Sequence, residues 1–214
     1  TFLPIDLNTK LLSHDYFSDK TLDKITIIAN QNTNDYALNG LILENNSAGI
    51  IYSGIGVNGA KCADYNKFPL FFEQLPALQP DLIVISLGTN ESFDKQTADQ
   101  YFSQLDQMIT SIKFKTPLAT ILVTTPPPSV LHRKYTNTFI VDYAQKIKSR
   151  AHTTGYAVWD LFEVFGGNKN IFKNAAKGLM SRDKVHYSKA GYEKQADLFF
   201  EAFLQSYELY KSTK

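Results

Sequence analysis

Four residues of the types used in acyl transfer stand in loops of this sequence. Asp183 and His186 are three positions apart on a predicted turn, and Gly59 and Asn90 each follow a predicted strand. A histidine can act as a general base when a carboxylate fixes its tautomer. A glycine N–H with no side chain in the way and an asparagine amide can both donate to a developing oxyanion. The set therefore predicts acyl transfer, although each residue alone is more often a turn, a cap or a surface residue.

Strands alternating with amphipathic helices are predicted to position these residues. The strands are expected at residues 49–53, 82–85, 119–123 and 156–159. The helices are expected around residues 68–78 and in three segments whose apolar stripes are Tyr101, Leu105, Met108, Ile109 and Ile112; Phe139, Tyr143, Ile147 and Ala151; and Tyr192, Ala196, Phe199, Phe200, Phe203 and Tyr207. This alternation predicts an α/β fold with a parallel sheet covered on both faces. Ligands then bind beyond the carboxyl ends of the strands, where the four residues stand.

The first part of the chain has a different pattern. Residues 25–29 and 36–43 are short runs with β character, and Asn-rich turn material at residues 31–35 separates them. Strands this close, with no helix between them, are expected to pair antiparallel. We therefore divide the chain into a β-rich segment at residues 1–47 and an α/β domain at residues 48–214.

Composition excludes several classes of function. The 22 Lys and Arg balance 21 Asp and Glu without a basic block, so nucleic-acid binding has no electrostatic support. No run of roughly 18 apolar residues is present, so no transmembrane segment is predicted. The single Cys62 excludes an internal disulfide, and it is expected to be a small buried side chain. The histidines outside the Asp183 turn have no other metal-binding residues at ligand spacing, so neither a metal nor a cofactor is predicted. These histidines are His14, His132 and His152.

Three sequence blocks together resemble the SGNH hydrolase family. They are Gly59, Asn90 within residues 88–91, and the Asp-x-x-His spacing of Asp183 and His186. The resemblance covers the chain from about residue 49 to the C-terminus. It implies a three-layer α/β/α, flavodoxin-like domain. It also implies roles for the residues: His186 as general base, Asp183 as its orienting partner, and Gly59 and Asn90 as oxyanion donors.

Longer stretches resemble the esterases of O-acetylated glycans, including those of peptidoglycan. These stretches are residues 56–60, 87–91, 159–162 with the glycine pair at 166–167, and 179–187. Some members of that group carry a β-rich, carbohydrate-binding-like module between their Ser and Gly blocks, and residues 1–47 resemble the end of such an insert. The resemblance implies a cofactor-free acetylesterase of an acylated saccharide, located outside the cytoplasm.

The nucleophilic serine of that family is not found in this sequence. The family's first strand ends in Gly-Asp-Ser, a tripeptide that does not occur here, so the strand and its serine are expected upstream of Thr1. Alternatively, residues 24–29 supply the strand and the enzyme is degenerate, but too few residues then remain for a right-handed crossover. The other serines near predicted strand ends or turns are not expected to be nucleophilic: Ser13, Ser53, Ser86 and Ser188.

Two other functions remain open at this point. A non-catalytic glycan-binding module would keep the fold without hydrolysis, and a lipase or thioesterase would use the same residues on another acyl group. Glu91 stands where Asp is commoner in the family, and a supporting role is expected for it. Trp159 and Tyr187 are expected to line a sugar site or to pack in the core, and His132 to border the site.

Overall fold

In a computed structural model, the protein is described at residues 13–28, 37–45 and 47–213. The helices are α1 Cys62–Asn66, α2 Pro69–Gln74, α3 Thr89–Phe93, α4 Ala98–Lys115, α5 Thr138–Thr154, α6 Leu161–Val164, α7 Ile171–Ala176 and α8 Lys189–Ser212. The strands are β1 Leu82–Ile85, β2 Thr120–Thr124, β3 Val130–Leu131, β4 Tyr135–Thr136 and β5 Ala157–Trp159. Short 3-10 turns cover Leu75–Leu78 and Asn168–Asn170.

Three of the strands form a parallel sheet in the order β1-β2-β5. Ile85 lies opposite Val123 and Thr124 lies opposite Trp159. The carboxyl ends of all three strands therefore lie at the same end of the sheet. Helices flank this sheet, as the strand–helix alternation predicts, and the chain is therefore a mixed α/β fold. The predicted strands at 82–85, 119–123 and 156–159 and the helices around 68–78 and after residue 97 are confirmed.

One face of the sheet, called here the closed side, packs against α4 and α5. Ile85, Ile121 and Val123 point to this side and are buried with the apolar stripes of the two helices. The long helices begin and end on specific signals. Thr97 and Gln100 form a reciprocal capping box at the start of α4, and Gly155 ends α5 in a left-handed conformation. The closed side is thus a complete helix-on-sheet layer.

The other face, called here the open side, is covered only in part. A small cluster of Val130, Leu161, Phe165, Ile171, Met180 and Tyr187 lies there, and the Trp159 ring packs edge-on against Phe199 of α8 at 4.9 Å. Val84, one residue before the buried Ile85, is 42% exposed. The sheet is therefore covered less completely at β1 than the sequence pattern predicts.

The last helix forms as predicted, but its apolar stripe is not buried. Phe200 is 57% exposed, and Phe203 and Tyr207 are also exposed. Among the described residues of α8, only Gly191 is buried. Periodicity identifies the apolar face of a helix, but it does not identify the element that covers this face.

The strands predicted before residue 58 do not form in the described part of the chain. Residues 25–28, 37–43 and 49–53 contain no strand, and every described residue from 13 to 45 is exposed. A strand needs a neighbour to pair its backbone groups, and residues 49–53 have no such neighbour among the described residues. The rest of the predicted segments, residues 29–36, lies outside the described residues. No helix in the described ranges is long and apolar enough to cross a membrane.

Candidate active site

Asp183 and His186 form a carboxylate–imidazole pair at the carboxyl end of the sheet. Asp183 Oδ2 lies 2.7 Å from His186 Nδ1. The other carboxylate oxygen accepts the N–H groups of Val185 at 2.9 Å and of His186 at 3.0 Å. Because an ionised carboxylate only accepts hydrogen bonds, the proton of this contact lies on Nδ1, which is the tautomer that presents Nε2 as an acceptor. The pair therefore has the arrangement of an oriented general base.

The turn that carries this pair is closed by its own backbone. Ser181 N–H donates to the carbonyl of His186 at 2.9 Å, and Lys184 N–H donates to the carbonyl of Ser181 at 3.0 Å. An isolated antiparallel bridge joins Met180 and Tyr187 at the base of the turn. The three-residue spacing between Asp183 and His186 thus corresponds to a small, locally hydrogen-bonded loop.

The pKa of the Asp183 carboxyl lies below its ordinary value. Partial burial acts to raise this pKa, but the hydrogen bonds from the His186 ring and from the N–H groups of Val185 and His186 outweigh it. The carboxylate is therefore ionised at neutral pH and ready to hold the imidazole. The side chain of His186 is 64% exposed, which leaves its outer nitrogen accessible.

Gly59 and Asn90 come together at the same end of the sheet. Gly59 has a φ of +78° in a turn closed by the bond from Ala60 N–H to the carbonyl of Val57. The Gly59 N–H makes no hydrogen bond within the described residues. Asn90 Nδ2 donates to the carbonyl of Ala60 at 2.9 Å. This bond uses one of the two amide hydrogens, so the other can serve an oxyanion.

Glu91 fixes the geometry of these donors from inside the protein. Its side chain is 1% exposed and accepts two backbone N–H groups, from Cys62 at 2.8 Å and from Gly88 at 3.0 Å. Gly88 has a φ of +115°, and a Cβ there would lie 2.6 Å from Pro126 Cγ. Burial, together with the Glu91 charge, raises the pKa of the Cys62 thiol, so this cysteine is a buried apolar group. These contacts are compatible with the supporting role that is expected for Glu91.

The loop that follows β2 connects the two parts of the site. Val130 N–H donates to the carbonyl of Lys184 at 3.1 Å, and the Tyr187 hydroxyl donates to the carbonyl of Pro128 at 2.8 Å. Farther along this loop, the buried Asn137 donates through Nδ2 to the hydroxyl of Ser92 in α3 at 2.8 Å. The loop therefore holds the Asp183 turn at one end and the helix of Asn90 at the other.

The structure joins the predicted residues as two pairs. Asp183 contacts His186, and Asn90 contacts the Gly59 turn, whereas no hydrogen bond between described residues links one pair directly to the other. No described serine hydroxyl contacts the His186 ring. Ser86 accepts a hydrogen bond from Thr124, and Ser188 caps α8 as predicted. Ser53 is exposed outside any strand, and Ser13 is exposed as well.

The structure also gives the positions of the aromatic residues and histidines that were considered as neighbours of the site. Tyr187 is buried in the core, while Trp159 is half-buried against α8. His132 lies in the turn between β3 and β4, and His14 and His152 are exposed. Sequence reasoning missed Asn137 and Ser92, which tie the loop to α3. The local sequence does not indicate their contact, because an asparagine before a helix is usually interpreted as a helix cap.

A model of the GDSL-like lipase/acylhydrolase family matches residues 28–194. The chain belongs to this family. This family, also called SGNH, comprises lipases and acylhydrolases. Among curated proteins, no sequence matches the chain.

Solved structures support the same fold. A peptidoglycan O-acetylesterase is similar with a TM-score of 0.66 and 22% identity, over 72% of this chain and 45% of that one. A lipase/acylhydrolase from Enterococcus faecalis is similar with a TM-score of 0.53 and 20% identity, over 67% of this chain and 70% of that one. The chain thus spans less than half the length of the first of these two proteins.

Proposed function

We propose that this chain supplies the base and the oxyanion donors of a serine esterase that removes acetyl groups from O-acetylated glycans. The observation that carries the proposal is the 2.7 Å contact between Asp183 and His186 in a turn that leaves the imidazole accessible. The family gives the reaction class, and the likeness to a peptidoglycan O-acetylesterase supports the glycan substrate.

The proposed reaction uses each of the four residues. A serine hydroxyl attacks the ester carbonyl and gives its proton to Nε2 of His186, while Asp183 stabilises the imidazolium. The N–H of Gly59 and the free amide hydrogen of Asn90 donate to the oxyanion of the tetrahedral intermediate. The imidazolium then protonates the departing sugar oxygen. Water, activated by the same histidine, releases acetate and restores the serine.

We further propose that the serine lies on a strand outside these 214 residues, next to β1. Three features support this. Among the described residues β1 pairs only with β2, so its other edge is free. Ile50 and Tyr52, in the predicted strand at 49–53, are 88% and 90% exposed. The apolar face of α8 is also uncovered. One strand inserted between residues 49–53 and β1 would pair both edges and shield Val84.

Residues 1–47 are proposed to be the end of an inserted carbohydrate-binding-like module. All described residues between 13 and 45 are exposed, which supports their separation from the sheet. Because the proposed substrate is a cell-wall or plant-derived glycan, the protein is expected outside the cytoplasm. Fractionation of cells that make the full-length protein tests this location.

Hydrolysis of p-nitrophenyl acetate tests the catalytic proposal. The experiment compares this chain, a version extended upstream through the first Gly-Asp-Ser of its gene, and His186→Ala in the extended version. We expect turnover only in the extended protein, and a loss of about a thousandfold or more in the variant. His152→Ala, an exposed histidine away from the turn, is the matched control and should retain full activity. Full activity of His186→Ala would contradict the assignment.

The substrate needs its own measurement. Acetate release from an O-acetylated glycan should exceed release of a long-chain acyl group from a p-nitrophenyl ester, and the opposite preference would indicate a lipase. The second candidate function is a non-catalytic glycan-binding module, favoured by the lack of a described serine hydroxyl at His186. That function predicts saccharide binding without hydrolysis even in the extended protein.

A further inference from the structure

Two lysine–aromatic pairs lie beside the Asp183 turn and have no part in the proposed reaction. Lys134 Nζ is 5.3 Å from the centroid of the Tyr135 ring, and Lys184 Nζ is 5.5 Å from that of Phe172. Both rings are open to solvent, with Tyr135 59% and Phe172 51% exposed. An exposed ring next to a cation offers one apolar surface and one charge to the same ligand.

The two pairs are held together by the backbone. Lys134 and Tyr135 belong to the β3–β4 hairpin, whose turn is closed by Lys134 N–H donating to the carbonyl of Leu131 at 3.1 Å. The first residue of that hairpin, Val130, donates its N–H to the carbonyl of Lys184 at 3.1 Å. The hairpin is therefore anchored to a residue two positions before His186, so it lies next to the turn that carries the candidate base.

Left-handed backbone residues concentrate at this place. His132 and Arg133 have φ values of +51° and +61° in the hairpin turn, and Lys184 has a φ of +54° in the Asp183 turn. Asparagine and glycine are preferred in such positions, because other side chains are strained there. Three basic residues occupy them instead, and strain of this kind clusters at functional sites.

The positive charge here is not compensated. The sequence has no Asp or Glu between Asp106 and Asp142, and residues 164–192 hold six Lys and Arg but only one acid, Asp183. That acid is engaged with His186. In the described ranges 13–28, 37–45 and 47–213, no carboxylate forms an ion pair with Arg133, Lys134 or Lys184. Since the whole chain carries only +1, this excess is local.

A similar pair elsewhere shows that position and charge balance distinguish the site. Lys115 Nζ lies 5.5 Å from the centroid of the Phe114 ring. This pair stands at the C-terminal end of α4 and therefore at the end of the sheet opposite to the Asp183 turn. There Glu73 is 3.9 Å from the ammonium group and offsets its charge. Lys115 and Phe114 therefore have the same local geometry without the uncompensated charge or the neighbouring imidazole.

We propose that an anionic saccharide binds on the surface formed by Arg133, Lys134, Tyr135, Phe172 and Lys184, called here the basic ledge. Its carboxylates pair with the basic side chains and its sugar rings lie on the two aromatic faces. The inference deepens the proposed function, on which it rests for the saccharide, by giving the substrate a negative charge.

Binding can be tested on this chain without turnover. Calorimetric titration would use a hexamer of galacturonic acid and its carboxyl-reduced, neutral counterpart at 0.15 M salt. We expect the acidic hexamer to bind at least about tenfold more tightly, and the double variant Lys134→Ala/Lys184→Ala to lose about tenfold in affinity for it. Lys115→Ala should stay within about twofold of the parent. Tyr135→Ala should weaken binding of both hexamers.

Several results would overturn the basic ledge. Equal affinity for the two hexamers would remove the need for charge, and an equal loss in Lys115→Ala would show non-specific attraction. Circular dichroism establishes that each variant is folded. The two proposals fail separately. Hydrolysis without preference for the acidic hexamer rejects only the basic ledge, and preferential binding without hydrolysis in the extended protein rejects only the esterase.

Discussion

The two sides of the sheet have similar sequence patterns, but their apolar side chains are buried to different extents. Ile85 on the closed side is 3% exposed, whereas its neighbour Val84 on the open side is 42% exposed. The same holds for the helices, since the stripes of α4 and α5 are buried and that of α8 is not. Amphipathic patterning thus specifies which surface is suited to burial, while a second element decides whether burial occurs.

The difference matters for function because the candidate active site lies where the two sides meet. Glu91 ties the oxyanion donors to α1, whose Cys62 is part of the closed-side core. The Asp183 turn packs instead through Tyr187 into the smaller cluster of the open side. The base and the donors are therefore supported by different parts of the core.

The largest difference is expected from truncating one apolar side chain on each side. Ile147→Ala, in the buried stripe of α5, should lower the free energy of unfolding by about 2–5 kcal/mol. Phe203→Ala, on the exposed face of α8, should lower it by less than about 0.5 kcal/mol. Urea denaturation measures both. Equal losses would mean that α8 is covered in solution, and a larger loss for Phe203→Ala in the extended protein would support the inserted strand.

A smaller loss is expected where the closed side meets the oxyanion donors. Glu91→Gln replaces one acceptor oxygen by an amide donor that faces a backbone N–H, either that of Cys62 or that of Gly88. The unsatisfied buried group should cost about 1–3 kcal/mol in urea denaturation. Glu193→Gln, on the exposed face of α8, serves as control and should change stability by less than about 0.5 kcal/mol. An unchanged stability in Glu91→Gln would show that water replaces the lost acceptor.

Removing one helix cap on each side should affect global unfolding in one case and only local opening of a helix in the other. Ser188 accepts the N–H of Gly191 at the start of α8, and Thr97 accepts that of Gln100 at the start of α4. Each change to alanine should cost about 1 kcal/mol. We expect Thr97→Ala to lower the global free energy of unfolding. Ser188→Ala should instead speed amide hydrogen exchange in the first turn of α8. A global loss in Ser188→Ala would show that α8 unfolds together with the closed side.

The smallest effect concerns the pH dependence of the Asp183 turn. Because the folded-state pKa of Asp183 is lowered, its stabilising contribution is present above its unfolded pKa of about 3.9. The contribution is lost as the pH falls through the folded pKa. The stability difference between the protein and Asp183→Asn should therefore shrink between pH 5 and pH 3. Urea denaturation at these values checks it, and a difference that grows in acid would reverse the assigned direction.

The sequence predicts the closed side well because its signals are local. The stripe from Tyr101 to Ile112 identifies α4, and the stripe from Phe139 to Ala151 identifies α5, without knowledge of their partners. Residues 49–53 have equal β character, but a strand also needs a paired edge. The exposed stripe of α8 was unpredictable for the same reason.

The candidate site divides in a similar way. The contact between Asp183 and His186 agrees with their spacing of three residues. Gly59 and Asn90 were predicted to lie at the same end of the sheet, although the strand predicted before Gly59 does not form in the described residues. The bonds from Tyr187 to Pro128 and from Asn137 to Ser92 join residues 59 and 45 positions apart. Nothing in the local sequence specifies such pairs, because their partners are selected by tertiary packing.

The antiparallel bridge between Met180 and Tyr187 has a consequence for how the site assembles. It encloses a loop of six residues that contains both members of the carboxylate–imidazole pair. Loop-closure entropy increases with the number of residues enclosed, so this pair is ordered at a low entropic cost. The Gly59 turn and Asn90 meet only after a much longer loop closes. We therefore expect the imidazole to acquire its partner early in folding and the oxyanion donors to meet later.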